Sequence, residues 1–273
     1  MINLLLTCFL ALLQLTTSAS IQPPKRFDFY ERVYNLINKN RIIPNEVLYV
    51  LDVGAYQGEF SLELRNSGKF PNAQYLCVEA NQDNALHLTE KRLPHVISLV
   101  GDRIGEEVVY FKPDPKLTGL QTGNSIYRES TYYFDDPVVE KHRTSTIDKI
   151  LEDFGLGDDS FQIMKVDIQG SELKALRGAR KLIERSKDLI IITEVSLLPY
   201  NGGDAPTFFD IMLEMEKMNF KMIEIIDYVE SNLFEVGDPT QTVQMDVAWQ
   251  HASKVMFDNT KWESRDYKID IKH

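Results

Sequence analysis

Carboxylates and glycines stand in this 273-residue sequence where they could act together. Asp52, Gly54, Tyr56 and Gly58 lie in DVGAYQG, directly after the apolar run VLYVLDV at 47–53. Gly54 permits a tight strand-to-helix turn, and Gly58 lets backbone approach a ligand closely. The spacing is not the G-x-G-x-x-G dinucleotide fingerprint. Nor does a Lys-Ser/Thr follow to make a phosphate-binding loop. Glu79 and Ala80 follow the next apolar run, QYLCV at 74–78. An acid about 25 residues past the glycine turn is placed to accept hydrogen bonds from two ribose hydroxyls. Read singly, the first motif is also a plain tight turn and Glu79 a solvated strand end. Together they suit an adenosine ligand that carries no pyrophosphate. S-adenosylmethionine fits that description, its amino-acid moiety meeting backbone donors near Gly54 and Asp52 lying near its ammonium or sulfonium.

Two more strand ends add to the set. The run VISLV at 96–100 ends in Gly101 and Asp102, where an adenine edge could be met. The run FQIMKV at 161–166 ends in Asp167 and continues IQGSELKALRGA, with Glu172 in the first turn of a helix. At this point the chain resembles the FkbM-type methyltransferases, S-adenosylmethionine-dependent enzymes of Rossmann-like fold. Four stretches carry the resemblance in order: DVGAYQGEFS from Asp52, VEANQDN from Val78, STIDKIL from Ser145 and KVDIQGSELKALRGA from Lys165. Tyr56 stands where the family usually has Asn, Ala80 where Pro is common, and Gln169 where Glu is common. The resemblance implies a cofactor site of Asp52, Gly54, Tyr56, Gly58, Glu79, Ala80, Gly101, Asp102 and Asp167. Members of the family O-methylate sugars and small secondary metabolites, so a small-molecule or glycan acceptor is expected.

Methyl transfer needs alignment and a base, because the sulfonium already carries the reactive methyl. A hydroxyl acceptor loses its proton as it becomes acidic in the transition state. Asp167 is the leading group for that role, or for orienting the acceptor. Glu194, at the end of the run LIIITEV at 189–195, is read either as a functional neighbour or as a solvated strand end. Glu172 either joins the chemistry or complements the helix dipole, with Ser171 as cap. His142 is open as a general base; His95 is read as an ordinary histidine. Three carboxylates could accept a hard cation, but no His or Cys pattern has ligand spacing, and no metal is assigned. The other classes of function to be kept are a non-catalytic adenosine- or glycan-binding module and a nicotinamide-dependent oxidoreductase. The missing glycine fingerprint counts against the second.

Placing these residues takes a particular scaffold. Continuous apolar runs suit buried parallel strands, and helical patterns at 60–65, 84–93, 173–184 and 208–218 alternate with them. Further strands are expected at 221–228 and 244–249. The alternation predicts a doubly wound, mostly parallel sheet of about seven strands, with ligands beyond the carboxyl ends of the strands. A stretch at 113–143, rich in Gly, Pro, Asp and Tyr, interrupts the pattern and reads as an inserted substrate loop or lid, or as a loop packed on its own domain. Residues 21–46 are expected to form a helical extension and 47–273 the catalytic domain. Residues 1–20 read as a signal peptide, with a buried amino-terminal helix as the other reading: the apolar MINLLLTCFLALLQL is too short to span a membrane and is followed by small Ser18 and Ser20, although no Lys or Arg precedes it. A secretory location is expected, with the cytoplasm as alternative. Lys and Arg number 30 against 41 Asp and Glu, for a net charge of −11. That excludes nucleic acid held by bulk electrostatics.

Overall fold

The computed structural model describes residues 28–40, 47–114, 116, 122–129, 132–157, 161–197, 204–231 and 241–255. The leader expected at 1–20 lies outside the described residues. Seven helices and ten strands are described: α1 (Phe29–Asn40), β1 (Tyr49–Val53), α2 (Glu59–Asn66), β2 (Gln74–Glu79), α3 (Ala85–Glu90), β3 (His95–Ile97), β4 (Leu99–Val100) and β5 (Glu107–Lys112), followed by β6 (Val138–Ser145), α4 (Ile147–Asp153), β7 (Ile163–Val166), α5 (Glu172–Gly178), α6 (Arg180–Arg185), β8 (Ile190–Ser196), α7 (Phe208–Lys217), β9 (Phe220–Ser231) and β10 (Gln241–His251). Among them no helix is long and apolar enough to cross a membrane.

Seven strands form the central sheet in the order β3-β2-β1-β7-β8-β10-β9. The five on the β3 side are parallel, and β10 enters antiparallel between β8 and β9. Burial on both faces explains the unbroken apolar runs. Leu51, Val53, Ile191 and Val195 face one core with α4, α5, α6 and α7. Val50, Ile190 and Ile192 face the other, closed by Val33, Leu36 and Ile37 of α1 and by Phe60 and Leu64 of α2. Their alternation is the two-residue period of a strand. The helix in the stretch expected as an extension is therefore part of the core.

Three elements depart from the sequence pattern. The run at 96–100 is interrupted at Ser98, whose N–H donates to the Glu79 carbonyl at 2.8 Å. β3 stays in the sheet, whereas β4 leaves it to pair with β6. The irregular stretch ends at 137, not 143, because 138–145 is strand β6, antiparallel to β5. The helix expected at 173–184 is two short helices parted at Ala179. Gly178 ends the first of them against the Gly101 carbonyl, so close that a Cβ would overlap it.

Candidate functional site

The chain runs outward through β1, β2 and β3, then returns to β7 on the other side of β1. Loops after β1 and β7 therefore part, and a cleft of about 530 Å³ opens above them. Both loops use left-handed backbone: Gly54 (φ 82°), Tyr56 (50°) and Gly58 (81°) in one, Gln169 (53°) and Gly170 (96°) in the other. Such conformations at non-glycine residues cost about 1–3 kcal/mol each and mark sites held by their surroundings. Gly54 must be glycine for a second reason, since a Cβ there would collide with the Asp167 backbone. That contact brings the two loops together.

Asp52, Gly54, Tyr56, Glu79, Ala80 and Asp167 line the cleft. Glu79 is buried and already organises the first loop. Its carboxylate accepts the Tyr56 N–H at 2.7 Å, the Asn81 N–H at 2.8 Å and the Asn84 amide at 3.3 Å. Burial raises its carboxyl from the ordinary value, and those donors oppose the rise. Asp52 is 1% exposed; Oδ2 accepts the Ser61 hydroxyl at 2.8 Å, while Oδ1 has no hydrogen-bond partner among the described residues. Burial raises this carboxyl too, against the pull of Lys165.

Lys165, the residue before Val166 at the end of β7, reaches the Asp167 carboxylate at 2.7 Å. Burial alone would lower its ammonium, but Asp167, Asp52 and Asp246 outweigh burial and hold it above the ordinary value. Burial would likewise raise Asp167, and the Lys165 charge with hydrogen bonds from Lys165, Gln169 and Glu194 holds it below. Gln169 Nε2 donates to Asp167 at 3.0 Å and to Glu194 at 2.8 Å. Burial and the neighbouring charges of Asp167, Glu172 and Asp246 push the Glu194 carboxyl well up. The two carboxyls are thus pushed in opposite directions, Asp167 toward its ionised form and Glu194 toward its neutral one, with one amide bridging both.

Other expected site residues lie elsewhere. Gly58 sits under the Leu93 and Leu88 side chains, and Gly101 packs against Thr144 and Gly178. Neither Gly101 nor Asp102 lines the cleft; because the third run breaks at Ser98, that wall is made by Ser98, Leu99 and Val100. Glu172 turns to its own loop, one oxygen accepting the Ile168 N–H at 2.9 Å and the Gly170 N–H at 3.2 Å. Burial raises its carboxyl to about 7. His142 lies in the β5–β6 ribbon, 2.9 Å from Glu140 and with its ring 4.9 Å from that of Tyr110. Tyr110 faces the cleft and His142 stands behind it. Among the described residues no three carboxylates, histidines or cysteines converge as a metal set.

The structure adds residues that strand-end reasoning missed. Phe29 and Tyr30 of α1, Glu59 and Phe60 of α2, Lys165, Gln169, Ser125 and Asp246 of β10 all face the cleft. Ser125 belongs to the stretch read as a lid, whose residues 122–126 line the cleft. It forms a bridge with Phe111 and donates its hydroxyl to the Gln169 carbonyl at 2.6 Å. Thr122-Gly123-Asn124-Ser125 was legible as polar loop, but its docking on the second loop was not.

An open sheet of this strand order, with a cleft at the reversal and an acid at the end of β2, is the class I methyltransferase fold. Within it the chain belongs to the family defined by the methyltransferase FkbM domain, whose family model matches residues 52–222. Among solved structures it is similar to the methyltransferase FkbM from Methylobacillus flagellatus KT, at 17% identity and a TM-score of 0.43 over 73% of this chain and 43% of that one. It therefore spans less than half of that protein's length. A precorrin-6y C5,15-methyltransferase from Geobacter metallireducens GS-15 aligns at 12% identity and a TM-score of 0.41, over 85% of this chain and 95% of that one. The CMeT domain of citrinin polyketide synthase aligns at 11% identity and 0.42, over 81% and 51%. No curated protein matches the chain.

Proposed function

We propose that the chain binds S-adenosylmethionine in the switch-point cleft and methylates a hydroxyl of a sugar, glycan or small metabolite. One observation carries the reading: a buried carboxylate oxygen, Asp52 Oδ1, lacks a hydrogen-bond partner among the described residues, in a residue that lines the cleft together with Glu79, Lys165 and Asp167. An orphaned buried acceptor costs about 1–3 kcal/mol, which a ligand's donor recovers. The ammonium of an amino-acid moiety is such a donor. Glu79 keeps a free lone pair for a ribose hydroxyl, since a carboxylate has about four acceptor positions and three donors reach it. Ser98, Leu99, Val100 and Asn84 form the wall beyond Glu79 where a base would lie.

When bound, S-adenosylmethionine supplies an electrophilic methyl. Asp167 would receive the acceptor hydroxyl and take its proton as that oxygen is methylated. A carboxylate held below its ordinary pKa is a weak base, but an oxygen being alkylated is a strong acid, so Asp167 suffices. Gln169 fixes Asp167, and the docked stretch 122–126 helps exclude water.

Calorimetric titration checks binding, with a nicotinamide dinucleotide as control. The adenosyl ligand binds and the dinucleotide does not. Glu79→Ala weakens binding at least about tenfold, since charge-assisted hydrogen bonds contribute about 1.5–3 kcal/mol and the Tyr56 and Asn81 N–H groups lose their acceptor as well. Labelled-methyl transfer to a panel of sugars and phenols checks turnover. Asp167→Asn lowers it by about 10²–10⁴-fold; binding without turnover on any acceptor favours a binding module instead. The proposal also includes a secretory address in residues 1–20, supported by the apolar run and the small residues after it. Amino-terminal sequencing of native material tests that address, and an intact Met1 overturns it.

A further inference from the structure

The cleft continues past Asp167 toward α1. Lys165 reaches the Asp167 carboxylate at 2.7 Å, and its Nζ stands 5.8 Å from the centroid of the Phe60 ring. The Phe29 centroid lies 6.2 Å from that of Phe60, and Tyr30 lies 5.1 Å from Phe29. All five residues line the cleft. Glu79 ends β2 on one side of β1, whereas Lys165 and Asp167 belong to β7 on the other. With adenosine held at Glu79, the end bordered by Asp167 and these rings is left for an acceptor. The rings make a corner, not a flat platform. Phe29 meets Phe60 at an interplanar angle of 74° and Tyr30 at 84°. A planar ring fits such a corner, lying along one face and meeting another edge-on, the two arrangements that aromatic pairs prefer. Burial pushes the Tyr30 hydroxyl up to about 12, so the corner carries no charge at neutral pH.

The polar groups at this end are engaged with one another. Gln169 Nε2 donates to Asp167 at 3.0 Å and to Glu194 at 2.8 Å. The Ser125 hydroxyl donates to the Gln169 carbonyl at 2.6 Å and accepts the Tyr127 N–H at 3.0 Å. The Asn124 side chain hydrogen-bonds Tyr110, and Asp246 interacts with the Lys165 charge. A polyol would bring several hydroxyls to groups already paired, and each hydroxyl buried without a partner is costly. A ligand with one hydroxyl for Asp167 and an otherwise apolar body has no such demand. Acidity points the same way. Against burial, the Lys165 charge and hydrogen bonds hold Asp167 below the ordinary carboxylate range, which leaves it a weak base. A phenol, with a pKa of about 10, gives up its proton more readily than an alcohol does.

We propose that the acceptor is a small phenol, its ring in the Phe29–Tyr30–Phe60 corner and its hydroxyl against Asp167. This rests on the methyltransferase reading above and leaves the transfer itself unchanged, the proton of the methylated oxygen passing to Asp167. The experiment separates the two. Calorimetry of the chain with S-adenosylmethionine comes first, and failure there counts against that reading alone. The protein saturated with S-adenosylhomocysteine is then titrated, under ligand-detected NMR, with phenol, cyclohexanol and glucose. These are six-membered rings that are aromatic, apolar but saturated, and polyhydroxylated. Phenol binds at least about fivefold tighter than cyclohexanol, and glucose binds weakest. Tyr30→Leu and Phe29→Leu each weaken phenol by about fivefold while S-adenosylmethionine affinity holds. The comparison of the three rings on the unaltered protein stands even if either variant folds poorly. Absence of phenol binding, or binding of cyclohexanol or glucose as tight as that of phenol, overturns the proposal. So does a Tyr30→Leu protein that loses S-adenosylmethionine and keeps phenol, because the corner then belongs to the cofactor.

Discussion

Gln169 donates from one amide nitrogen to two carboxylates and gives its carbonyl to Ser125. A side chain so placed fixes Asp167 by hydrogen bonding. Gln169→Leu keeps the bulk and removes the donor, so turnover falls about tenfold or more while S-adenosylmethionine affinity holds; steady-state kinetics beside calorimetry checks the split. Glu172 makes a different prediction. Its folded-state carboxyl stands near 7, above the ordinary 4.5 of the unfolded chain, so the folded state binds more protons between those values. Stability is then greatest below about pH 4.5 for this group and declines as pH rises through 7, by about 3 kcal/mol for a shift of that size. Glu194, also raised, adds to the decline. Urea unfolding between pH 5 and 8 measures the slope, and Glu172→Gln flattens it. At this scale the sequence showed Asp52, Glu79 and Asp167 because each ends an apolar run. Lys165 stood in the quoted motif but reads as strand interior, and only its burial against Asp167 reveals a charge pair.

Elements are joined by close backbone contacts that tolerate no added atom. Gly54 touches the Asp167 carbonyl and Gly178 the Gly101 carbonyl. Gly54→Ala also meets a left-handed φ, so it costs more than Gly178→Ala. Overpacking of this kind costs about 1–3 kcal/mol or more, and a lowered urea midpoint at unchanged slope checks both. The alternation of runs made the sheet legible, including the two late strands, because burial on both faces writes itself into composition. The β5–β6 ribbon was not legible. Its halves are a short apolar run, VVYF, and the charge-rich VVEKHR, and the second fell within a stretch dominated by turn formers. Ser98 carries no breaking signal in sequence; the chain leaves the sheet there because β6 offers Leu99 and Val100 a second partner.

Across the whole molecule, the first described helix and the last sheet strands depend on one another. α1 buries Val33, Leu36 and Ile37 in the core that Ile226 and Ala248 share, and Arg32 donates to the Ile225 carbonyl at 2.7 Å and to Glu224 at 3.2 Å. Deletion through residue 40 therefore removes a core face and the Phe29–Tyr30 wall together. Thermal unfolding shows a large loss and calorimetry a lost ligand. Such a helix seemed an extension in the sequence because nothing local names a partner so distant. Synthesis gives this clasp a timetable. Arg32 and Ile225 are 193 residues apart, and at about 5–20 residues per second α1 waits roughly 10–40 s for its strand to emerge from the ribosome. β10, which separates β8 from β9 and carries Asp246, emerges later still. A nascent chain can hold β1, β2 and β7 with their loops and still lack two walls of the cleft, so the cleft is completed only after translation is nearly finished.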